Sequence, residues 1–291
     1  MQRLIRGAWL LGAVSATVLL LCGCSYRQER QFADEREQTA DRGEKEKVAL
    51  PSGEADKDFL NKQEERSRLP LIAKEVSEAI RRRNQWMRQE EKRRILEEDI
   101  VLPVRYDARE AGRTAPVEDQ KDLGTCWAFS SLTAVENALL PQEVWDFSED
   151  HMSHNPHFIL GQENGGEYTM SMAYLLSWQG PVTEEQDPYG DGNSPEGLKP
   201  VKHVQEVRVL PENDREMIKR AVLACGGVQS SLYTTLQNSR SQSKYYNPET
   251  SAYCYPHSTA PNHDVVIVGW DDDFPAEAFR TEVEGNGAFL C

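Results

Sequence analysis

Apolar and polar positions alternate in different ways along this chain, and each pattern predicts a different kind of segment. Ala8 to Cys22 is apolar apart from Gly12, Ser15 and Thr17. Residues 26–99 are crowded with charge, and only Leu71 to Leu96 has apolar side chains (Leu71, Ile72, Val76, Ile80, Met87, Ile95) near helical spacing. From Cys126 the run Trp-Ala-Phe-Ser-Ser-Leu-Thr-Ala-Val-Glu-Asn-Ala-Leu-Leu predicts a buried helix stopped by Pro141. Leu223 to Leu232 reads as a turn into a strand, and Asp264 to Val268 as a buried, β-branched strand ending at Gly269.

The first of these patterns is an address. Arg3 and Arg6 precede the apolar run, which is too short for a membrane helix of about 20 residues and has the length of a secretory signal. It ends in Leu21-Cys22-Gly23-Cys24, which resembles the lipobox of bacterial lipoproteins. That resemblance implies a signal peptide over 1–23, lipidation of Cys24, and an exported protein anchored in the membrane of the cell envelope. The segment 24–99 is then a charged tether, or a pro-segment if the helical pattern of 71–96 covers an active site; its charge and scarcity of aromatics leave little to bury.

Charge sharpens this division. The 291 residues carry a formal net charge of −15, while residues 26–99 are almost neutral, with 18 basic and 19 acidic side chains. The excess acidity lies beyond Ile100, where it reads as solubility and disfavours contact with nucleic acid phosphates. A domain over 100–291 has room for one sizeable core.

Candidate chemistry lies in that domain. Cys126 follows a polar loop containing Gln120 and Gly124 and opens the predicted helix, where unpaired N–H groups and the helix dipole favour a thiolate. A small buried cysteine is the ordinary alternative. His263 opens the predicted strand, a rigid seat for a general base, 137 residues after Cys126. Cys225, Cys254 and Cys291 show no metal-site spacing; Cys225 and Cys254 can be bridged in an exported protein or be free thiols. Asp271-Asp272-Asp273 lacks the Gly and Glu of a calcium loop and reads as a solvated turn. No metal or other cofactor is expected.

Together these blocks resemble the papain family of cysteine peptidases, most closely its bacterial branch. Gln120 to Ser131 matches the block of an oxyanion-hole Gln followed by Gly-x-Cys-Trp-Ala-Phe-Ser, and Asn262 to Trp270 matches Asn/Asp-His-Ala-Val-x-x-Val-Gly-Tyr/Trp. Between them Phe147 to His151, Asn164-Gly165-Gly166 and Pro188-Tyr189 fall in the family's order. The Cys-to-His spacing also suits the ~130–150 residues of such enzymes. The resemblance implies an α+β, two-lobe fold, with a helical left lobe over about 121–200 and a β-rich right lobe over about 201–291. It implies Cys126 as nucleophile, His263 as its proton partner, and Gln120 with the Cys126 N–H as oxyanion donors, worth roughly 3–4 kcal/mol each. Gly124, Trp127, Gly165, Gly166 and Asn262 are expected to line a cleft that takes peptide or protein substrates, in a monomer.

The match has departures. Leu123 and Asn155 replace the two halves of a common bridge, and Tyr168 stands where a proline often shapes the second substrate pocket. Asn286-Gly-Ala-Phe-Leu-Cys291 matches the strand that leads into Lys-Asn-Ser-Trp-Gly, so the orienting Asn is expected about two positions beyond Cys291 and the domain reads as incomplete at its C-terminus. The leading reading is a cysteine endopeptidase. A non-catalytic peptide-binding module of the same fold and an amide hydrolase acting on cell-wall material are the alternatives.

Overall fold

The computed structural model describes residues 6–8, 18–23, 90–97, 100–211, 213–236 and 243–291. Cys24 and nearly all of the charged segment lie outside them, including the residues of the 71–96 pattern before 90. The chain forms two units, one of residues 27–94 and one joining Met1–Tyr26 to Ile95–Cys291. Among the described residues no helix is long and apolar enough to cross a membrane.

In chain order the elements are strands β1 (Arg6–Ala8) and β2 (Val18–Gly23), helix α1 (90–97), strand β3 (Arg105–Asp107) and helices α2 (Cys126–Leu139), α3 (Glu149–Ser153) and α4 (Tyr168–Leu176). Then come β4 (Val204–Leu210), α5 (Arg215–Cys225), β5 (Val228–Leu232), β6 (Tyr246–Asn247), β7 (Ala252–Tyr253), β8 (His263–Ile267), β9 (Gly269–Asp271) and β10 (Ala288–Leu290). The strands form a sheet of order β4-β2-β5-β8 and another of order β3-β9-β10-β1-β7-β6. In the intact chain the apolar run read as a leader supplies β2, antiparallel to both β4 and β5. Helices α2 to α4 fall between residues 126 and 176 and the longer strands other than β2 after 204, in keeping with an α+β two-lobe arrangement, with α5 lying among the strands.

Helix α2 explains this division. Its apolar residues point all round, so it is buried on nearly every side. Trp127, Ala128, Leu132, Ala134 and Val135 enter a core with Phe147, Met152, Tyr174 and Leu175. Ala138, the last residue but one, enters a second core with Leu96, Ile218, Val222, Cys225, Ile267 and Trp270. Each fully buried side chain of this size contributes roughly 1.5–3 kcal/mol, so the helix is the common wall of two hydrophobic cores. It ends before Pro141, as the pattern predicts.

Side-chain caps start two of the other helices. The Ser148 hydroxyl accepts the His151 N–H at 3.0 Å to start α3, and the Asp214 carboxylate accepts the Met217 N–H at 2.9 Å to start α5. Gly226 closes α5 at φ +82°, in the left-handed region, with its missing Cβ facing the Asn137 carbonyl. Cys225 lies in the second core and Cys254 in a separate cluster with Ala252, Phe274 and Ala288, so the possible bridge between them is not formed. The three-aspartate turn is a local one, with the Asp271 carboxylate accepting the Asp273 N–H and Asp272 paired to Lys219.

The acidic excess does not all face solvent. Glu136, in the last turn of α2, is 4% exposed and accepts the Phe147 N–H at 2.8 Å; Glu149 is 3% exposed. Burial pushes the Glu136 carboxyl up to about 8 from an ordinary 4.5, and the carboxylates of Glu118, Asp146 and Glu184 push the same way. Burial, then Glu118 and Glu136, raises Glu149 as well. Both groups hold protons in the folded state that the unfolded chain releases near pH 4.5. Their contributions are therefore complete below about pH 4.5 and are lost as pH rises through about 8 for Glu136 and about 10 for Glu149. Urea midpoints are expected to fall between pH 5 and pH 8. Glu136→Gln, which keeps the acceptor for Phe147, should raise the pH 8 stability by on the order of 2 kcal/mol with little change at pH 5. Equal midpoints for the two chains at pH 8 would contradict the buried-proton account.

Candidate functional site

The loop before α2 is shaped by a contact between two backbones. The Gly124 N–H donates to the Gln162 carbonyl at 2.8 Å, and a Cβ on Gly124 would lie 2.7 Å from the Gly165 nitrogen. Gly165 itself sits at φ +79°, where other residues are strained. Gly166 is pressed against the Trp127 indole. Both glycine approaches are thus satisfied within the protein, between the Gln120–Cys126 loop and the Asn164–Glu167 turn. Trp127 is only 2% exposed, edge-on to Phe158 in the first core. It anchors the helix start rather than facing a ligand.

Tyr189 ties the same loop from the other side. Its hydroxyl donates to the Gln120 carbonyl at 2.9 Å and shares a 2.6 Å hydrogen bond with the Thr125 hydroxyl, while its ring meets Phe129 edge-on. The Tyr189 N–H donates to Glu184 at 2.7 Å, which sets the tyrosine's own backbone. Sequence reading marks Pro188-Tyr189 only as part of a pattern; in three dimensions the phenol is the strut between the two ends of the nucleophile loop. The Gln120 side-chain amide donates one N–H to the Leu123 carbonyl at 2.7 Å, leaving its second N–H for another acceptor.

Helix α2 packs against strand β8, and this brings Cys126 and the start of β8 together. The Asp264 backbone N–H and carboxylate both act electrostatically on the Cys126 thiol, which lies near the residue that follows His263. His263 pairs across the ladder with Leu232, and Asp264 with Ser231. Asn262 is committed elsewhere: its side-chain oxygen accepts the Thr234 N–H at 2.7 Å and its amide donates to the Thr234 carbonyl at 2.9 Å. It clamps the end of β5 and thereby the entry to β8.

The charge state of the pair differs from the sequence expectation. The N–H groups of Asp264, Trp127 and Cys126 pull the thiol pKa down, as a helix start should. Burial outweighs them, the Asp264 carboxylate adds to it, and the thiol ends above its ordinary 9.0. Burial also lowers the His263 imidazole below its ordinary 6.5. Burial thus sets both groups towards their uncharged forms, a neutral thiol and a neutral imidazole. Asp264 is absent from the sequence-based site, although a charged residue inside an otherwise apolar strand is a visible signal. Among the described residues no group of His, Cys, Asp and Glu has the arrangement of a metal site.

This geometry accords with what the chain is similar to. The model of the "Papain family cysteine protease" matches residues 102–279. Zingipain-1 of Zingiber officinale is 32% identical over 127 residues, covering 42% of this chain and 57% of that protein. The oryzain beta chain of Oryza sativa subsp. japonica is 31% identical over 185 residues, covering 59% of this chain and 37% of its own. The chain thus spans about half the length or less of these curated relatives. Among solved structures, the cysteine protease and lectin-like domains of Cwp84, a surface layer associated protein of Clostridium difficile, superpose with a TM-score of 0.55 at 27% identity, covering 66% of this chain and 45% of that one.

The neutral resting pair has a direct readout. Alkylation of Cys126 by iodoacetamide, followed by peptide mass spectrometry, should be slow at pH 7 and accelerate only as pH passes the raised thiol pKa above 9. A rate already at its plateau below pH 7 would instead mean a stable thiolate.

Proposed function

From the premise that this chain belongs to the papain family of cysteine proteases, we propose that it is a cysteine endopeptidase of the family's bacterial branch, exported and held at the cell envelope by a lipid on Cys24. The observation that carries the catalytic part is the packing of α2, which begins with Cys126, against β8, which begins with His263. Nucleophile and base belong to different secondary-structure elements that pack on one another, so their separation is set by the core rather than by loops.

The reaction follows from the neutral pair. As the Cys126 sulfur bonds to the carbonyl carbon of a peptide, its proton passes to His263. The carbonyl oxygen gains the negative charge and is met by the Cys126 N–H and the free N–H of the Gln120 amide. His263 then gives its proton to the departing amine as the C–N bond breaks, leaving a thioester on Cys126. Water, deprotonated by His263, attacks the thioester, and the thiol and the peptide acid are released. Because the thiol starts protonated, His263 acts as a base in each half of the cycle. Tyr189 acts on this chemistry only through the loop it braces.

The bacterial and envelope assignments rest on the lipobox-like Leu21-Cys22-Gly23-Cys24 and on the likeness to the Clostridium difficile protein. Two experiments separate the parts of the reading. With the full chain, Cys126→Ala and His263→Ala should each lower hydrolysis of a casein or peptide-library substrate by roughly 10³-fold or more, and mass spectrometry should place epoxide labelling on Cys126 alone. Labelling spread across Cys225, Cys254 and Cys291, or unaffected by His263→Ala, would count against it; labelling without turnover would favour the peptide-binding module. For the anchor, Cys24→Ala should move the protein from the membrane to the soluble fraction of a bacterial host, and unchanged partitioning would remove the lipid from the proposal.

A further inference from the structure

The residue that follows Gln120 holds a strained backbone. Lys121 has φ +54°, in the left-handed region, where a Cβ crowds the following carbonyl and where a lysine has no short polar side chain to ease the conformation. Glycine would adopt the same backbone freely. Strain of this kind persists only where the surrounding structure over-determines it, and it gathers at functional sites. What the turn achieves is visible around Gln120. The Gln120 carbonyl accepts both the Leu123 N–H, at 3.3 Å, and the Tyr189 hydroxyl, at 2.9 Å, while its side-chain amide donates to the Leu123 carbonyl at 2.7 Å. The Lys121 N–H is tied back to the Asp119 carboxylate at 2.9 Å.

The Lys121 side chain shows what holds the strain in place. The residue is exposed, yet its ammonium lies back on the protein. Nζ stands over the Tyr189 ring, 5.5 Å from its centre and within cation–π reach, and a Cβ on Gly190 would lie only 2.9 Å from it. Gly190 is itself fixed: it sits at φ +85°, and its N–H donates to the Asp150 carboxylate at 2.8 Å. The other Asp150 oxygen accepts the Gln162 amide at 2.6 Å. Two successive residues therefore grip one phenol, Gln120 through the hydroxyl and Lys121 through the face of the ring. A glutamine side chain in a loop otherwise has several rotamers to choose from, and an oxyanion donor is effective only when it is already aimed.

Resting on the proposed peptidase activity, we propose that Lys121 is a positioning residue for the oxyanion hole: its ammonium, clamped on the Tyr189 ring, holds the left-handed turn that aims the Gln120 amide. Lys121 does not touch the substrate and acts only through Gln120. Because the oxyanion exists only in the transition state, the clamp bears on kcat and leaves substrate binding alone. The two halves of the residue then work in opposite senses. Its backbone lowers stability, and its side chain supplies rate. A cation over the ring is what the clamp requires, so Arg, which stacks on aromatic faces, can replace Lys, whereas Met of similar length cannot.

The test is a set of variants of the full chain assayed on one fluorogenic peptide. Lys121→Met, which keeps the length and the strained backbone but removes the charge, should lower kcat roughly 2- to 5-fold with KM unchanged, and Lys121→Arg should restore most of it. Lys121→Gly should lose the same rate yet melt about 2–4 °C above Lys121→Ala, since both lack the ammonium and only glycine is free of strain. In a Gln120→Ala background Lys121→Met should change kcat by less than about 1.5-fold, because its route to the chemistry is gone. A full additive loss in that double variant, a change confined to KM, or an undiminished kcat in Lys121→Met overturns the positioning role. Equal melting of the glycine and alanine variants overturns the strained turn on which it stands. If the unsubstituted chain hydrolyses nothing, the peptidase reading fails separately, and hydrogen exchange decides the clamp: peptides covering residues 117–126 should exchange several-fold faster in Lys121→Met than in the unsubstituted chain or Lys121→Arg. Equal exchange overturns it.

Discussion

The site depends on a contact that tolerates no side chain. Gly124 and Gly165 bring two stretches of backbone within van der Waals distance, and the hydrogen bond from Gly124 to Gln162 fastens them. That contact sets where α2 begins, with Cys126 as its first residue, and α2 then runs into both cores. Packing of the helix on β8 brings the thiol into the field of Asp264. A methyl group at Gly124 would separate the two walls, so the placement of the thiol is settled by sterics before any electrostatic effect acts.

Helix α2 and strand β8 were legible because each has one unbroken physical signature. In α2 the apolar positions continue round the helix to Pro141, and in β8 a β-branched run is bounded by His263 and Gly269. The glycines were also visible, but their purpose was not. Sequence reading gives them to the substrate, whereas Gly124 and Gly166 are used within the protein. Trp127 and Asn262 follow the same pattern: one is core and the other a clamp on Thr234. A residue's presence beside a nucleophile does not tell which way its side chain points, and that information comes only from the tertiary packing.

What the sequence concealed was long-range and polar. The Tyr189 hydroxyl braces residues more than sixty positions away, and nothing local in Pro188-Tyr189 announces it. The thiol's charge state was misjudged for a related reason. A helix start promises a lowered pKa, but desolvation depends on what packs over the sulfur, and the nearest charge is an aspartate of the wrong sign. Acidic residues counted along the chain suggest a solvated surface, while Glu136 and Glu149 are interior groups.

Those interior carboxyls make folding a chemical reaction with the buffer. Near neutral pH the unfolded chain has released protons that Glu136 and Glu149 hold when folded, so the chain must take up protons as it closes. Calorimetry of unfolding would then register the ionisation heat of whatever buffer receives them, and phosphate and Tris would give different apparent enthalpies for one and the same conformational change. The left lobe's core is, in this sense, a small proton store coupled to its own assembly.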